Sequence, residues 1–231
     1  MSMKAYWSIT LFVTFVFCGS APLDFAKAEE NEIAQKYKGE FAVAKAIDLL
    51  IRSVRAKYTQ NIVGKLKKEG TGASVEYASK KGYVPLPAQH IRAISFDALQ
   101  RQIKEKNEFF NFVLRSRWNL NTEQGLQTDF ERKGWEYLAK QQAEALKAGI
   151  AIKKIHWKPF LRVESINGQK MLRYLSADTA SAFSCITCHN KWEQKPKIKK
   201  LRKKQGVAEG KIFQMHELMG VLSINVNIHK K

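Results

Sequence analysis

Cysteine is scarce in this 231-residue chain: Cys18, Cys185 and Cys188 are the whole supply. A structural zinc site needs about four protein ligands, and no second Cys/His pair exists to complete one. Long apolar sequence is also lacking. The run from Trp7 to Phe17 is about half the length that spans a bilayer. Internal repeats are absent, and so is the βαβ alternation that a thioredoxin-like C-x-x-C pair requires. Acidic residues are few, 21 against 40 Lys and Arg, which leaves a net charge of +19. Such a surface favours acidic partners or an anionic membrane surface and speeds their encounter at low salt. No nucleic-acid-binding motif accompanies the charge, so nucleic acid is not expected as a partner.

The N-terminus sets the compartment. Lys4 precedes the apolar run, and Ala26-Lys27-Ala28 offers small residues at the cleavage positions. This pattern predicts a secretory signal over residues 1–28, cut after Ala28. Phe17 is too large, in the position before Cys18, for a lipoprotein site. Cleavage removes Lys4, Lys27 and Asp24 and leaves a mature chain of charge +18. It also removes Cys18. The remaining 29–231 has the length of one domain with a real core.

The two surviving cysteines stand in Cys185-Ile186-Thr187-Cys188-His189. Two thiols three residues apart, with an imidazole directly after the second, form the c-type haem attachment motif. The thiols can form thioethers to the vinyl groups of haem c, and His189 then lies under the iron as proximal ligand. One motif predicts one covalently bound haem. Both cysteines are then occupied and no disulfide is available.

Periodicity sketches the rest. Ile33, Tyr37, Phe41, Ala44, Ile51, Val54, Tyr58, Ile62 and Leu66 recur at helical steps, predicting a long N-terminal helix over 31–69 that Gly70 and Gly72 end. At 1.5 Å per residue it reaches about 55 Å. Its first half either packs on another copy, as a homodimer, or on a partner, or bends back on its own domain. A helix is expected from Ala88 to Lys106, a strand from Phe109 to Arg115, and a helix from Thr128 or Asp129 to Gly149. Ile150 to Trp157 alternates like a strand. Phe160–Ser165 and Lys170–Ser176 flank Asn167-Gly168, a hairpin signal. The haem motif follows in a short helical or looped stretch, and Val221–Ile228 closes the sheet. Helices, then antiparallel strands, without βαβ units, indicate the α+β class.

Three further segments carry a family resemblance: Arg115-Ser-Arg-Trp-Asn-Leu-Asn with Phe130-Glu131 and Trp135; Leu172-Arg173-Tyr174-Leu175-Ser176-Ala177; and Gly220-Val221-Leu222-Ser223-Ile224. Together with the haem motif, over residues 40–228, they resemble a family of exported c-type haem proteins with a PAS-like fold. Its members are soluble haem proteins or periplasmic sensor domains. The resemblance implies a five-stranded antiparallel sheet cradling one haem, with the long helix alongside. It also implies a second axial ligand from outside the motif, in some members a cysteine or methionine of the N-terminal helical region. Here residues 31–69 hold no Cys, Met or His.

The distal candidates are therefore elsewhere. His216, in Met215-His216-Glu217-Leu218-Met219 before the last strand, ranks first. His90 follows Pro87 in a loop able to close over a haem, and Met215 or Met219 comes third. A water-bound or open site is an equal alternative. His156 in a strand-like run, Met171, and His229 at the C-terminus are weaker, and Tyr58 could reach the distal face from the helix. For the propionates, Arg173, Arg115 and Arg117 are candidate partners, against the alternative of solvated strand arginines. After His189 comes a basic run from Lys191 to Lys204 with Glu193 its one acid. It reads either as a mobile solvated loop or as a collar steering an acidic redox partner.

Two functions follow. A periplasmic electron carrier needs a six-coordinate haem and a basic docking face. A redox or gas sensor needs an exchangeable distal site and an output partner. No kinase, transmembrane or receptor domain is expected in the chain, so output would pass through a separate protein. This favours electron transfer. Peroxidase or nitrogen-oxide chemistry has only His216-Glu217 to support it, so the chain is expected not to be an enzyme.

Overall fold

A computed structural model describes residues 30–228. The predicted signal segment and His229 lie outside the described residues. Residues 30–36 are helical; a turn at Tyr37 then leads into α1, Lys38–Lys57. That helix widens into a π-helical stretch, Tyr58–Val63, and finishes as Gly64–Lys68. Gly70, at φ 84°, stops it in a conformation that glycine adopts without strain. Short strands β1 (Gly72–Ala73) and β2 (Tyr83–Val84) pair in parallel. α2 spans Pro87–Lys104, with proline in its first turn, where a missing N–H is harmless.

The main sheet comes from β3 (Phe110–Arg115), β4 (Phe160–Ile166), β5 (Gln169–Thr179) and β6 (Leu218–Asn227). Its order is β3-β6-β5-β4, antiparallel throughout. Among the described residues four strands stand in this sheet where the resemblance implied five. The alternating stretch at Ile150–Trp157 supplies no fifth: it forms a 3-10 turn, Ile152–Lys154, with Lys153 and Lys154 exposed. The β4–β5 hairpin turns through Asn167 and Gly168, both at positive φ (51° and 80°), as a tight hairpin of this handedness requires.

α3 covers Asp129–Lys147 between β3 and β4. Thr128 and Glu131 form a reciprocal capping box at its start. Helices thus cover both faces of the sheet. On one side Ala44 and Ile51 of α1 and Ile91 of α2 pack on Leu222, Ile224 and Tyr174. On the other, Phe130, Trp135 and Leu138 of α3 meet Leu175, Ala177 and Val221. Strand alternation explains the division: Tyr174 and Leu175, or Val221 and Leu222, point to opposite faces. The inward face of the long helix therefore packs on its own sheet, while Leu49 and Leu50 remain exposed. Asp48, on that inward face, is buried but satisfied: Ser176 and Tyr174 hydroxyls and the Arg52 guanidinium donate to it.

Two helices fill the link from β5 to β6: α4 (Phe183–Glu193) and α5 (Pro196–Gln205). The haem motif is helical, within the range of its expected forms. The basic run is a helix and not a loop. Ile198 and Arg202, four apart, are its buried positions, so the lysines project outward. Arg202 is fully buried against Glu193. Sequence reading had no place for that pair. A helix signal was nonetheless present: Pro196 at the start and Gly206, at φ 65°, at the end.

Candidate functional site

α4 sets the site. Cys185, Cys188 and His189, at positions i, i+3 and i+4, share one face of the helix and line one cavity of about 280 Å³. The cavity lies at one end of the sheet. There the antiparallel register brings together the end of β3, the start of β6 and the end of β5, with Arg115 opposite Val221 and Asp178 opposite Gly220. The far wall is the C-terminal half of the long helix, through Arg55, Thr59 and Val63, and the first turn of α2. Gly220 is required at the strand crossing. A Cβ there would meet the Arg115 carbonyl oxygen at 2.8 Å, a contact with backbone that cannot yield.

Neither cysteine is in a disulfide. Burial pushes the Cys188 thiol up from its ordinary value. Burial pushes the His189 imidazole down to about 4, and Arg55 and Arg202 add to the effect. His189 is therefore neutral at neutral pH, with a lone pair available to a metal. Phe213 packs edge-on against its ring, centroids 5.7 Å apart. Phe213 is held in turn by two bonds with the Asn190 side chain, which accepts from its N–H at 2.7 Å and donates to its carbonyl at 3.1 Å. Residues flanking the motif thus orient its histidine.

Among the described residues no group of three or more His, Cys, Asp and Glu is placed to hold a metal ion. The donor set here is instead two thiols and one imidazole beside an apolar space. Val63, Leu114, Trp118 and Trp192 supply apolar wall; Arg55, Lys67, Arg92 and Arg115 supply positive charge. The Nε of Arg55 is buried without a partner. These residues fit a large, flat, apolar group that carries anionic arms.

The three arginines named from the sequence part company. Arg115 lines the cavity, held by Glu131 at 3.2 Å and Gln127 at 3.1 Å. Arg173 does not. It is buried on the α3 side of the sheet, bonded to Glu164 at 2.7 Å and Asn225 at 3.0 Å, with its guanidinium 4.1 Å from the Phe130 ring centroid. Arg117 is exposed and off the cavity wall. Arg55, Lys67 and Arg92 are cavity residues that sequence reading missed. Their signal was the charge they place on helical faces that also carry apolar positions.

The distal candidates also separate. Met219 is buried and lines the cavity. His216 is exposed at φ 68° in the turn before β6, its N–H donating to the Ala180 carbonyl. The structure does not bring it to His189. His90 lies in the first turn of α2 and not in a loop; it stacks on Tyr58, ring centroids 4.3 Å apart, and neither ring lines the cavity. His156 is exposed; Met171 is buried at the far end of β5, and Met215 is half-buried outside the cavity.

A C-x-x-C-H helix closing an apolar, cation-rimmed cavity at the end of an α+β sheet defines a c-type cytochrome-like domain. The family model Tll0287-like (Tll0287) matches residues 26–227. The chain belongs to the Tll0287-like family. No curated protein and no solved structure matches the chain. No helix among the described residues is long and apolar enough to cross a membrane.

Proposed function

We propose that the chain is a periplasmic monohaem cytochrome c that passes electrons to or from an acidic redox partner. Residues 1–28 would be removed on export. Cys185 and Cys188 would carry the thioethers, and His189 the iron. The observation that carries this reading is the meeting of both thiols and one imidazole on the wall of one cavity. When bound, the haem supplies one-electron redox chemistry; the protein supplies position, burial and charge.

Lys67, Arg92 and Arg115 are the cations available to the propionates, since an unpaired buried carboxylate is unfavourable; Arg55 is held by Asp178. The charged face of α5 follows the haem helix directly. As a helix anchored by Ile198 and Arg202 it presents its lysines in fixed array, which suits steering of an acidic protein.

A second reading is a redox or gas sensor. One observation favours it: among the described residues His189 is the one imidazole on the cavity wall, and Met219 the one thioether. If Met219 does not bind iron, the sixth position is open. Absorption spectra of the ferric and ferrous protein with and without CO decide between them. A low-spin spectrum inert to CO supports the carrier. A high-spin spectrum with rapid CO binding supports the sensor.

A further inference from the structure

Asp178 is the penultimate residue of β5, where the strand meets the cavity, and it lines the cavity wall. Its Oδ1 accepts from Arg55 Nη1 at 2.5 Å. Among the described residues no other side-chain hydrogen bond reaches that carboxylate. Asp48, on α1, has donors on both oxygens. The two buried acids thus differ: Asp48 is fully solvated by the protein, and Asp178 depends on one guanidinium. That guanidinium is itself incompletely used, with its Nε buried and unpartnered.

We propose that Asp178 is the site of proton uptake linked to reduction of the haem, so that this cytochrome transfers one proton with one electron. The inference rests on the haem reading above. Written out, with haem c held at Cys185, Cys188 and His189, a one-electron reductant would supply the electron to the iron and solvent would supply one proton to the Asp178 carboxylate. No bond other than the O–H is formed.

The physical reason is charge balance in a poorly solvated space. An electron added to the cavity is unfavourable unless a positive charge answers it. Arg55 already carries that charge, but Asp178 neutralises it. Protonation of Asp178 leaves the Arg55 charge unbalanced and so able to answer the new electron. Burial raises the Asp178 carboxyl above the usual carboxylate range, against the opposing pull of Arg55 and Arg52 and with a smaller push from Asp48. The other charged and titratable groups of the cavity face it from separate walls: Arg115 from β3, Lys67 and Arg92 from the helical wall, His189, Cys185 and Cys188 from α4. Gly220, the β6 residue against it, brings no charge and no side chain.

The test is the reduction potential of the purified holoprotein as a function of pH, for the wild type and Asp178→Asn. The wild type should show an interval in which the potential falls by about 59 mV per pH unit, the one-electron, one-proton slope. In Asp178→Asn that interval should disappear. A pH-independent wild-type potential would overturn the inference. So would a slope that survives in Asp178→Asn, which would place the proton on a propionate. Redox-difference infrared spectroscopy of the wild type needs no variant. It should show a protonated carboxyl band in the reduced state; its absence again overturns the proposal. A preparation without haem contradicts the haem reading itself, a separate outcome.

Discussion

Glu193 and Arg202 form a fully buried ion pair, Nη2 to Oε1 2.6 Å, that joins the end of the haem helix to the basic helix after it. The same guanidinium donates to the carbonyl oxygens of Trp118 at 2.9 Å and Asn119 at 2.7 Å, two residues of the cavity wall. One side chain thus ties together α4, α5 and the loop after β3.

Breaking such a pair leaves a charge buried alone. Arg202→Met should destabilise by about 3–5 kcal/mol, because Glu193 then lacks its cation. The double variant Glu193→Leu/Arg202→Met should recover part of this. Recovery is incomplete because the Trp118 and Asn119 carbonyls lose their donor. Urea unfolding of the two single variants and the double variant measures the coupling. Additive effects would contradict a coupled pair.

Two helical glycines should respond differently. Gly134 in α3 lies against the sheet, where a Cβ would stand 2.9 Å from Leu175 Cδ2 and 3.0 Å from Phe160 Cδ1. Gly134→Ala gains about 1 kcal/mol of helix propensity but overpacks a filled interface at about 1–3 kcal/mol, so a net loss of stability is expected. Gly39 in α1 has nothing within 4 Å of a Cβ. Gly39→Ala should raise Tm or leave it unchanged. Calorimetry of both variants checks the pair.

Elements with a periodic face were legible in the sequence. α3 was placed by Thr128 and by the apolar positions Trp135 and Leu138, the β4–β5 hairpin by Asn167-Gly168. The site was legible as far as its motif: Cys185, Cys188 and His189 are close in sequence, so helix geometry alone unites them. The rest of the site is assembled by tertiary register. Nothing local tells that Arg55 reaches Asp178, 123 residues away. Arg173 was misplaced because period two puts neighbours of one strand on opposite faces. It faces α3, while Tyr174 beside it faces α1. The lysine run hid a helix because its charge outweighed two buried positions, Ile198 and Arg202.

Alkaline pH should weaken the fold. Burial, and the carboxylate of Asp48 beside it, push the Tyr174 phenol up from its ordinary value; burial and Glu30 do the same for Tyr137. The folded state holds both phenols neutral, whereas the unfolded chain ionises them near pH 10. Their contribution to stability is thus complete below about pH 10 and is lost as pH rises beyond it. Thermal melts at increasing pH should show Tm falling in this range, with less dependence in Tyr174→Phe. Phenolate absorbance should show these two tyrosines ionising only on unfolding. Ionisation of Tyr137 and Tyr174 at the same pH as exposed Tyr77 would contradict their burial.

The distal side separates two residues. Met219→Ala should alter the ferrous and ferric absorption spectra, because Met219 lines the cavity. His216→Ala should leave them unchanged, because His216 is exposed outside it. The reverse pattern would mean that the turn before β6 rearranges around the haem.

The central claim is covalent attachment of one haem at Cys185 and Cys188 with His189 on the iron. The direct measurement is the pyridine haemochrome spectrum and intact mass of the purified mature chain after acid-acetone extraction. The account predicts a c-type spectrum with one haem retained per chain, and loss of retention in Cys185→Ala/Cys188→Ala. Haem that extracts freely, or a mass without haem in protein exported through a haem-attachment pathway, would contradict it.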